Sequence, residues 1–433
     1  IRLSADQILY TMNHADDKLV LVNSEFVPLY NSIASQLSTV EKTLLLTDAE
    51  DKTAELPGLV GEYENLLAAA SSSYAFADFD ENSVATTFYT TGTTGNPKGV
   101  YFTHRQLVLH TLAAAATVGS LDSIRLMGTD DVYMPITPMF HVHAWGLPYV
   151  ATMLGVKQVY PGRYDPELLV DLWKREKVTF SHCVPTILQM ILNAKGAAGV
   201  DFGGWKLIIG GSALNRSLYE ASKARGIQLT AAYGMSETCP LISCAHINEE
   251  LLAGSEDERT TYRIKAGVPV PMVETAIMTA DGRFLPHDGE AQGELVLRAP
   301  WLTQGYFREP QKGEELWEHG WLHTGDVATL DGMGFIDIRD RIKDVIKTGG
   351  EWISSLELED LISRHPAVRE VAVVGIADPQ WGERPFALLV LREGAELDAR
   401  GLKEHLKPFV EQGHINKWAI PTQIALVTDI PKT

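Results

Sequence analysis

Residues 89–100 read YTTGTTGNPKGV, placing four threonines, three glycines and one lysine in twelve positions. The chemistry such a stretch offers is anion binding. Glycines let backbone amides converge, the hydroxyls of Thr90, Thr91, Thr93 and Thr94 add donors, and Lys98 adds a point charge suited to phosphate. The stretch follows the strand-like VATTF and precedes YFTHRQL, which reads as a helix start. A donor surface near a helix N-terminus, holding a polyphosphate, is therefore expected, with a solvated Gly/Thr turn as the plainer alternative. The nucleotide-hydrolase loop G-x-x-x-x-G-K-[ST] is not met: counted from Gly92, Pro97 stands where the second glycine belongs and Gly99 where a hydroxyl should reach magnesium.

Further residues with chemical potential follow in order. PMFHVHAW (138–145) sets His141 and His143 two apart, so on a strand they would share a face. A metal site would need a third ligand nearby, and none is evident; a core histidine in an aromatic turn is the plainer alternative. IIGGSAL (208–214) reads as a strand running into a glycine turn at Gly211, Ser212 and Ala213. AAYGMSET (231–238) offers the aromatic face of Tyr233, the hydroxyl of Ser236 and the carboxylate of Glu237, an oxygen ligand of the kind Mg²⁺ shares with phosphates. WLHTGD (321–326) ends on Asp326 after a glycine turn, and Arg341 follows in RDRIKDVIKTGG; alone, either would be a solvated loop charge.

Together these motifs resemble the acyl-adenylate-forming superfamily, which includes acyl-CoA synthetases, firefly luciferase and the adenylation domains of peptide synthetases. The most specific element is TTGTTGNPKG, and the resemblance runs along essentially the whole chain, nearest to bacterial medium- and long-chain fatty acyl-CoA synthetases. It implies ATP, Mg²⁺ and coenzyme A as cofactors and a carboxylic acid as substrate. The residues implied for ATP and AMP are Thr90, Thr91, Gly92, Thr93, Thr94, Gly95, Lys98, Gly211, Ser212, Ala213, Tyr233, Gly234, Ser236, Asp326 and Arg341, with Glu237 on magnesium. Within that set Lys98 faces the β- and γ-phosphates, Ser236 the α-phosphate, Tyr233 the adenine, and Asp326 with Arg341 the ribose hydroxyls. His141, Gly211 and Trp145 border the acyl site, Trp145 as a swinging gate. Lys343 is the hinge of a mobile small domain whose Lys347, Gly349 and Gly350 face coenzyme A. Where the family usually has threonine this chain has Ser236, which keeps the hydroxyl. An acid-thiol ligase that makes an acyl-AMP and then an acyl-CoA is thus expected, on a medium- or long-chain fatty acid. A short thioether acid such as 3-methylmercaptopropionate is the alternative within the class. A CoA-independent adenylation module or a pseudoenzyme that binds AMP are the alternatives outside it.

The elements that must position these residues are those of an α/β protein. Short Val/Ile/Leu runs (KLVLVN, VTFSHCVP, KLIIGGSAL, LTAAYGMSET) alternate with amphipathic stretches, the pattern of buried strands with ligand loops at their ends. From about 264 to 340 the text is strands and Gly/Pro/Asp turns, a β-barrel or meander, and from 341 to 433 a compact α+β unit. The expected division is a large domain over 1–340 and a small one over 341–433. The chain has no initial Met, so its natural start is expected upstream. The resemblance likewise implies a stretch before Ile1 and a segment after Thr433 carrying the lysine that contacts carboxylate and α-phosphate during adenylation.

Over 433 residues the formal charge is −19, with acidic groups dispersed, which excludes the basic stripe of a nucleic-acid binder. No run is long enough to span a membrane. The three cysteines lack metal-site spacing and are too few for a disulfide framework, so a reducing cytoplasm fits. Among relatives of this type a homodimer is one assembly to expect.

Overall fold

The computed structural model describes residues 3–50, 53–90, 96–120, 125–348 and 351–430. It is an α/β protein that divides by internal contacts into two compact units, one of 1–106 with 303–314 and one of 107–302 with 315–433.

In the first unit the helix Ala5–Ala15 starts at Ser4, whose hydroxyl and Gln7 form a reciprocal capping box. The strands Leu19–Asn23, Lys42–Leu46 and Leu59–Glu62 pair in parallel in that order, and Val22, Tyr30, Leu45 and Leu56 form a small core. The strands Val84–Thr90 and Lys98–Thr103 make an antiparallel pair in which Thr90 faces Lys98. This corrects one expectation. The phosphate-loop motif connects two strands of a hairpin, and the following helix, His104–Ser120, begins only after the second strand is complete. The helix N-terminus is therefore not the source of the motif's donors. Thr91, Gly92, Thr93, Thr94 and Gly95 lie outside the described residues. The Lys98 ammonium stands 4.6 Å from the centre of the Tyr306 ring, a cation–π contact, and Phe307 donates its amide to the Gly99 carbonyl at 2.7 Å.

The second unit is built on a seven-stranded sheet. From the edge strand Lys157–Gln158 inward, Val132–Pro135, Phe180–Cys183, Lys206–Ile209 and Gln228–Gly234 run parallel to it, and Leu241–Cys244 and Val268–Pro269 continue the sheet antiparallel. Parallel strands are covered on both faces, which is why FSHC is buried at every position, its polar Ser181 and His182 included. Helices Pro166–Glu176, Pro185–Asn193 and Arg216–Lys223 accompany it. Asp165 and Asn215 cap the first and last of these through side-chain acceptors. Trp205, Phe202, Leu188 and Leu207 anchor the core.

The β-rich part forms an open sheet rather than a closed barrel. Glu274–Met278, Gly293–Arg298, Trp321–Leu330 and Trp317–Glu318 lie in that antiparallel order, and Ile336–Arg341 also pairs with Trp321–Leu330. Another sheet begins after Arg341. Glu351–Ile353, Ile346–Thr348, Gly382–Leu391 and Val368–Asp378 are joined by Gln423–Leu426, with helices Ser355–Ser363 and Ala399–Glu411 supplying Leu358, Ile362, Leu402 and Leu406 to its core. No described helix is long and apolar enough to cross a membrane.

Candidate active site

A cleft of about 740 Å³ opens in the second unit at the carboxyl ends of Lys206–Ile209 and Gln228–Gly234, where open parallel sheets bind ligands. Gly211, Ser212 and Ala213, which follow the first of these strands, line it together with Tyr233 and Gly234 at the end of the second. Asp326, Arg341 and Lys343 also line it. Sequence reasoning thus selected eight residues that the fold brings to one cavity.

The glycines are explained by what surrounds them. Gly211 has φ +78°, and a Cβ there would come 3.1 Å from Val184 and 3.7 Å from the Trp145 indole. At Gly210 a Cβ would approach the Ala232 carbonyl to 2.9 Å and the same indole to 3.3 Å. A Cβ at Gly234 would overlap the Pro240 carbonyl.

The polar centre is a chain of three residues. The Tyr233 hydroxyl donates to Asp326 Oδ2 at 2.6 Å, and Arg341 Nε stands 3.3 Å from Asp326 Oδ1. Asp326 and Arg341 face each other across paired strands, which fixes the second contact by register. Burial pushes the Asp326 carboxyl above its usual range, against the Tyr233 hydrogen bond and the Arg341 charge, which pull it down. Burial, then the Asp326 charge, push the Tyr233 phenol well above its ordinary value, so it stays a donor. Sequence reasoning assigned Tyr233 only an aromatic face; its hydroxyl also holds the acid.

Glu294 was not anticipated. Its Oε2 lies 2.9 Å from His323 Nδ1 and its Oε1 accepts from the Gly325 amide at 2.9 Å, pinning the HTGD turn that delivers Asp326. Its position in GELVLR follows the strand pattern and carries no signal of this task. Glu359, also in the cleft wall, accepts from the Val373 amide at 2.8 Å. Burial pushes its carboxyl up to about 7, with a smaller contribution from Asp340 in the same direction.

Ser236 and Glu237 form the turn Ser236–Thr238 directly after Gly234 and Met235, which line the cleft; they do not line it themselves. Glu237 is buried. A carboxylate and a hydroxyl are hard oxygen donors that fit Mg²⁺. Among the described residues no three His, Cys, Asp or Glu side chains gather to hold a cation.

His141 and His143 lie not on a strand but in and beside a left-handed turn. Val142, His143, Ala144 and Trp145 have φ of 48°, 54°, 48° and 60°, followed by Gly146 at 71°. The two histidines therefore do not share a strand face; the His141 side chain is exposed. Trp145 is buried, and Gly146 is required because a Cβ would come 2.9 Å from the His110 ring. Fully buried His110, driven down to about 3 by burial and then by His143, accepts the Leu241 amide at 3.1 Å.

Lys347 lies in Ile346–Thr348 with an exposed side chain, its amide donating to Glu383 at 2.8 Å, and is not part of the cleft lining. Gly349 and Gly350 lie outside the described residues. Thr90 and Lys98 belong to the other unit.

Comparison with known proteins gives these features a context. A family model described as "AMP-binding enzyme" matches residues 1–307, and one for the "AMP-binding enzyme C-terminal domain" matches residues 357–433. A long-chain-fatty-acid–CoA ligase of Thermus thermophilus is 39% identical over 435 residues, covering 100% of this chain and 77% of its own. A 3-methylmercaptopropionyl-CoA ligase of Ruegeria lacuscaerulensis is 38% identical over 434 residues, covering 99% and 78%. The crystal structure of an anthranilate CoA ligase in complex with anthranoyl-AMP superposes with a TM-score of 0.84 at 22% identity over 100% of this chain and 78% of that one, a likeness of fold. With its family match over most of its length and its adenylate-forming fold, the chain belongs to the AMP-binding enzyme family.

Proposed function

We propose that the protein is an AMP-forming acid-thiol ligase that joins an aliphatic carboxylic acid to coenzyme A at the expense of ATP. The observation that carries this is the cleft in which Gly211, Ser212 and Ala213 meet the Tyr233–Asp326–Arg341 chain. Small residues admit a flat base and the carbonyl of an acyl group, while a carboxylate oxygen with one bonded partner keeps a lone pair for a ribose hydroxyl. The names of the relatives support an aliphatic acid.

In the first step a substrate carboxylate oxygen attacks the α-phosphorus of ATP, the bond to the β-phosphate oxygen breaks, and acyl-AMP and pyrophosphate form. In the second the thiol of coenzyme A attacks the acyl carbon, loses its proton, and AMP leaves. The protein's part is positioning and charge neutralisation. Asp326 and Arg341 orient the ribose, Tyr233 the base, and Ser236 the α-phosphate. Lys98 and the loop from Thr90 to Gly95 take the outgoing phosphates. Bound Mg²⁺, with Glu237 as its protein ligand, supplies charge neutralisation on the phosphates. Lys347 with Gly349 and Gly350 serves coenzyme A, and Lys343 is the pivot between steps. His141 and Trp145 bound the acyl site. These roles are carried over from the resemblance.

The leading substrate is a medium- or long-chain fatty acid, and the second is a short thioether acid. Three free, buried cysteines support a reducing cytoplasm, and a homodimer is the proposed assembly, measurable by light scattering. The purified protein, given ATP, Mg²⁺, coenzyme A and a panel of acids, should release pyrophosphate and yield an aliphatic acyl-CoA. Turnover of aromatic acids alone would refute the substrate class. Acyl-AMP formation without any thioester would replace the ligase with a CoA-independent adenylation module.

A further inference from the structure

His182 is fully buried in the strand Phe180–Cys183, and burial lowers its basicity to about 3, so the ring is neutral. Its Nε2 lies 2.7 Å from the Tyr133 hydroxyl, and its Nδ1 has no hydrogen-bond partner among the described residues. The tautomer follows from counting donors. If Tyr133 donates to Nε2, one group is left over, the Nδ1–H. If Nε2–H donates to the phenol instead, both the phenol proton and the Nδ1 lone pair are left over. An unmet buried polar group is costly, so the first arrangement prevails and Nδ1 is a donor awaiting an acceptor.

Trp145 packs against this histidine. The indole lies 5.0 Å from the His182 ring, centre to centre, and also packs over Gly210 and Gly211, the latter in the cleft wall. The turn that carries it holds four successive non-glycine residues at positive φ, each costing roughly 1–2 kcal/mol relative to right-handed backbone. Strained backbone of this kind is held in place by its surroundings and clusters at active sites and ligand clamps. Displacement of the indole would uncover the neutral imidazole that it packs against.

We propose that His182, held by Tyr133, is a specificity-determining residue whose Nδ1–H recognises an acceptor heteroatom in the acyl chain, so that the site prefers ether, hydroxy or thioether acids over alkyl acids of the same length. The proposal rests on the ligase reading above and on Trp145 bordering the acyl site. Oxygen accepts better than thioether sulfur, and sulfur better than methylene, which sets an order of preference. A donor left unpaired by the alkyl acid gives a discrimination of about tenfold.

The test uses 3-methoxypropionate, 3-methylmercaptopropionate and pentanoate, three acids of equal backbone length. Turnover to acyl-CoA is read alongside calorimetric affinity for the three acyl-sulfamoyl adenosines, which needs no chemistry. The expected order is oxygen, sulfur, methylene, with about tenfold between the extremes, collapsing in His182→Leu and in Tyr133→Phe. Equal affinity for the three analogues in the unsubstituted protein overturns the proposal, even where both variants fail to fold. So does a His182→Leu variant that weakens all three alike. Failure of every aliphatic acid with turnover of aromatic ones would refute the ligase's substrate class instead, and is distinguishable from equal use of all three.

Discussion

At the scale of single residues, the site is organised by Asp326. It is buried, its carboxyl is raised by that burial, and its two oxygens face Tyr233 and Arg341. Removing the hydroxyl in Tyr233→Phe keeps the ring and deletes one charge-assisted hydrogen bond. The KM for ATP is expected to rise about tenfold, and unfolding free energy to fall by about 1–2 kcal/mol. Steady-state kinetics and denaturant titration check this; an unchanged KM for ATP would show that the hydroxyl does not help orient the nucleotide. The family resemblance implied that Tyr233 and Asp326 belong to one site. It could not predict that they touch, because they are 93 positions apart and the contact depends on which strands become neighbours.

Among elements, the helix Ser355–Ser363 is joined to the strand Val368–Asp378 through Glu359 and the Val373 amide. The Glu359 carboxyl is pushed up to about 7 in the folded protein, above its unfolded value. The folded state then holds a proton that the unfolded state has released. Stability is therefore retained below the unfolded pKa and lost as pH rises through the folded one, on the order of 3 kcal/mol in all. Glu359→Gln keeps an acceptor for Val373 and cannot ionise. Its melting temperature should exceed that of the unsubstituted protein at pH 8 and match it near pH 4; an equal difference at both would mean that ionisation is not the cause. The turn Val142–Trp145 makes a second prediction at this scale. Trp145→Ala should flatten the dependence of kcat/KM on acyl chain length, measured across a homologous acid series, and an unaltered preference would remove the gate role. The sequence left a strand and an aromatic turn open for these residues; four positive φ values make it a left-handed turn, which ends on Gly146, where a Cβ would crowd the His110 ring.

For the whole molecule, the division of labour between two half-reactions is what the proposal adds to the fold. Lys347 sits on an exposed strand position in the C-terminal sheet, outside the cleft lining. Lys347→Ala should leave ATP–pyrophosphate exchange intact and slow thioester formation by about tenfold or more, the cost of one lost electrostatic contact. Equal loss in both assays would place Lys347 in adenylation.

The sequence by itself determined the family and eight of the residues that line the cleft. TTGTTGNPKG, AAYGMSET, WLHTGD and the residues around Arg341 are local patterns, and runs of buried β-branched residues announce a parallel sheet whose strand ends collect ligands. Only the tertiary structure decided that the phosphate-loop motif closes a hairpin rather than opening a helix, and that the β-rich part is an open sheet. It also supplied Glu294 behind the HTGD turn and His182 behind Trp145. The physical reason is range. Propensity and spacing act over a few residues, whereas strand order, register and the contacts between elements are set by how the whole chain buries its apolar surface and satisfies its polar groups.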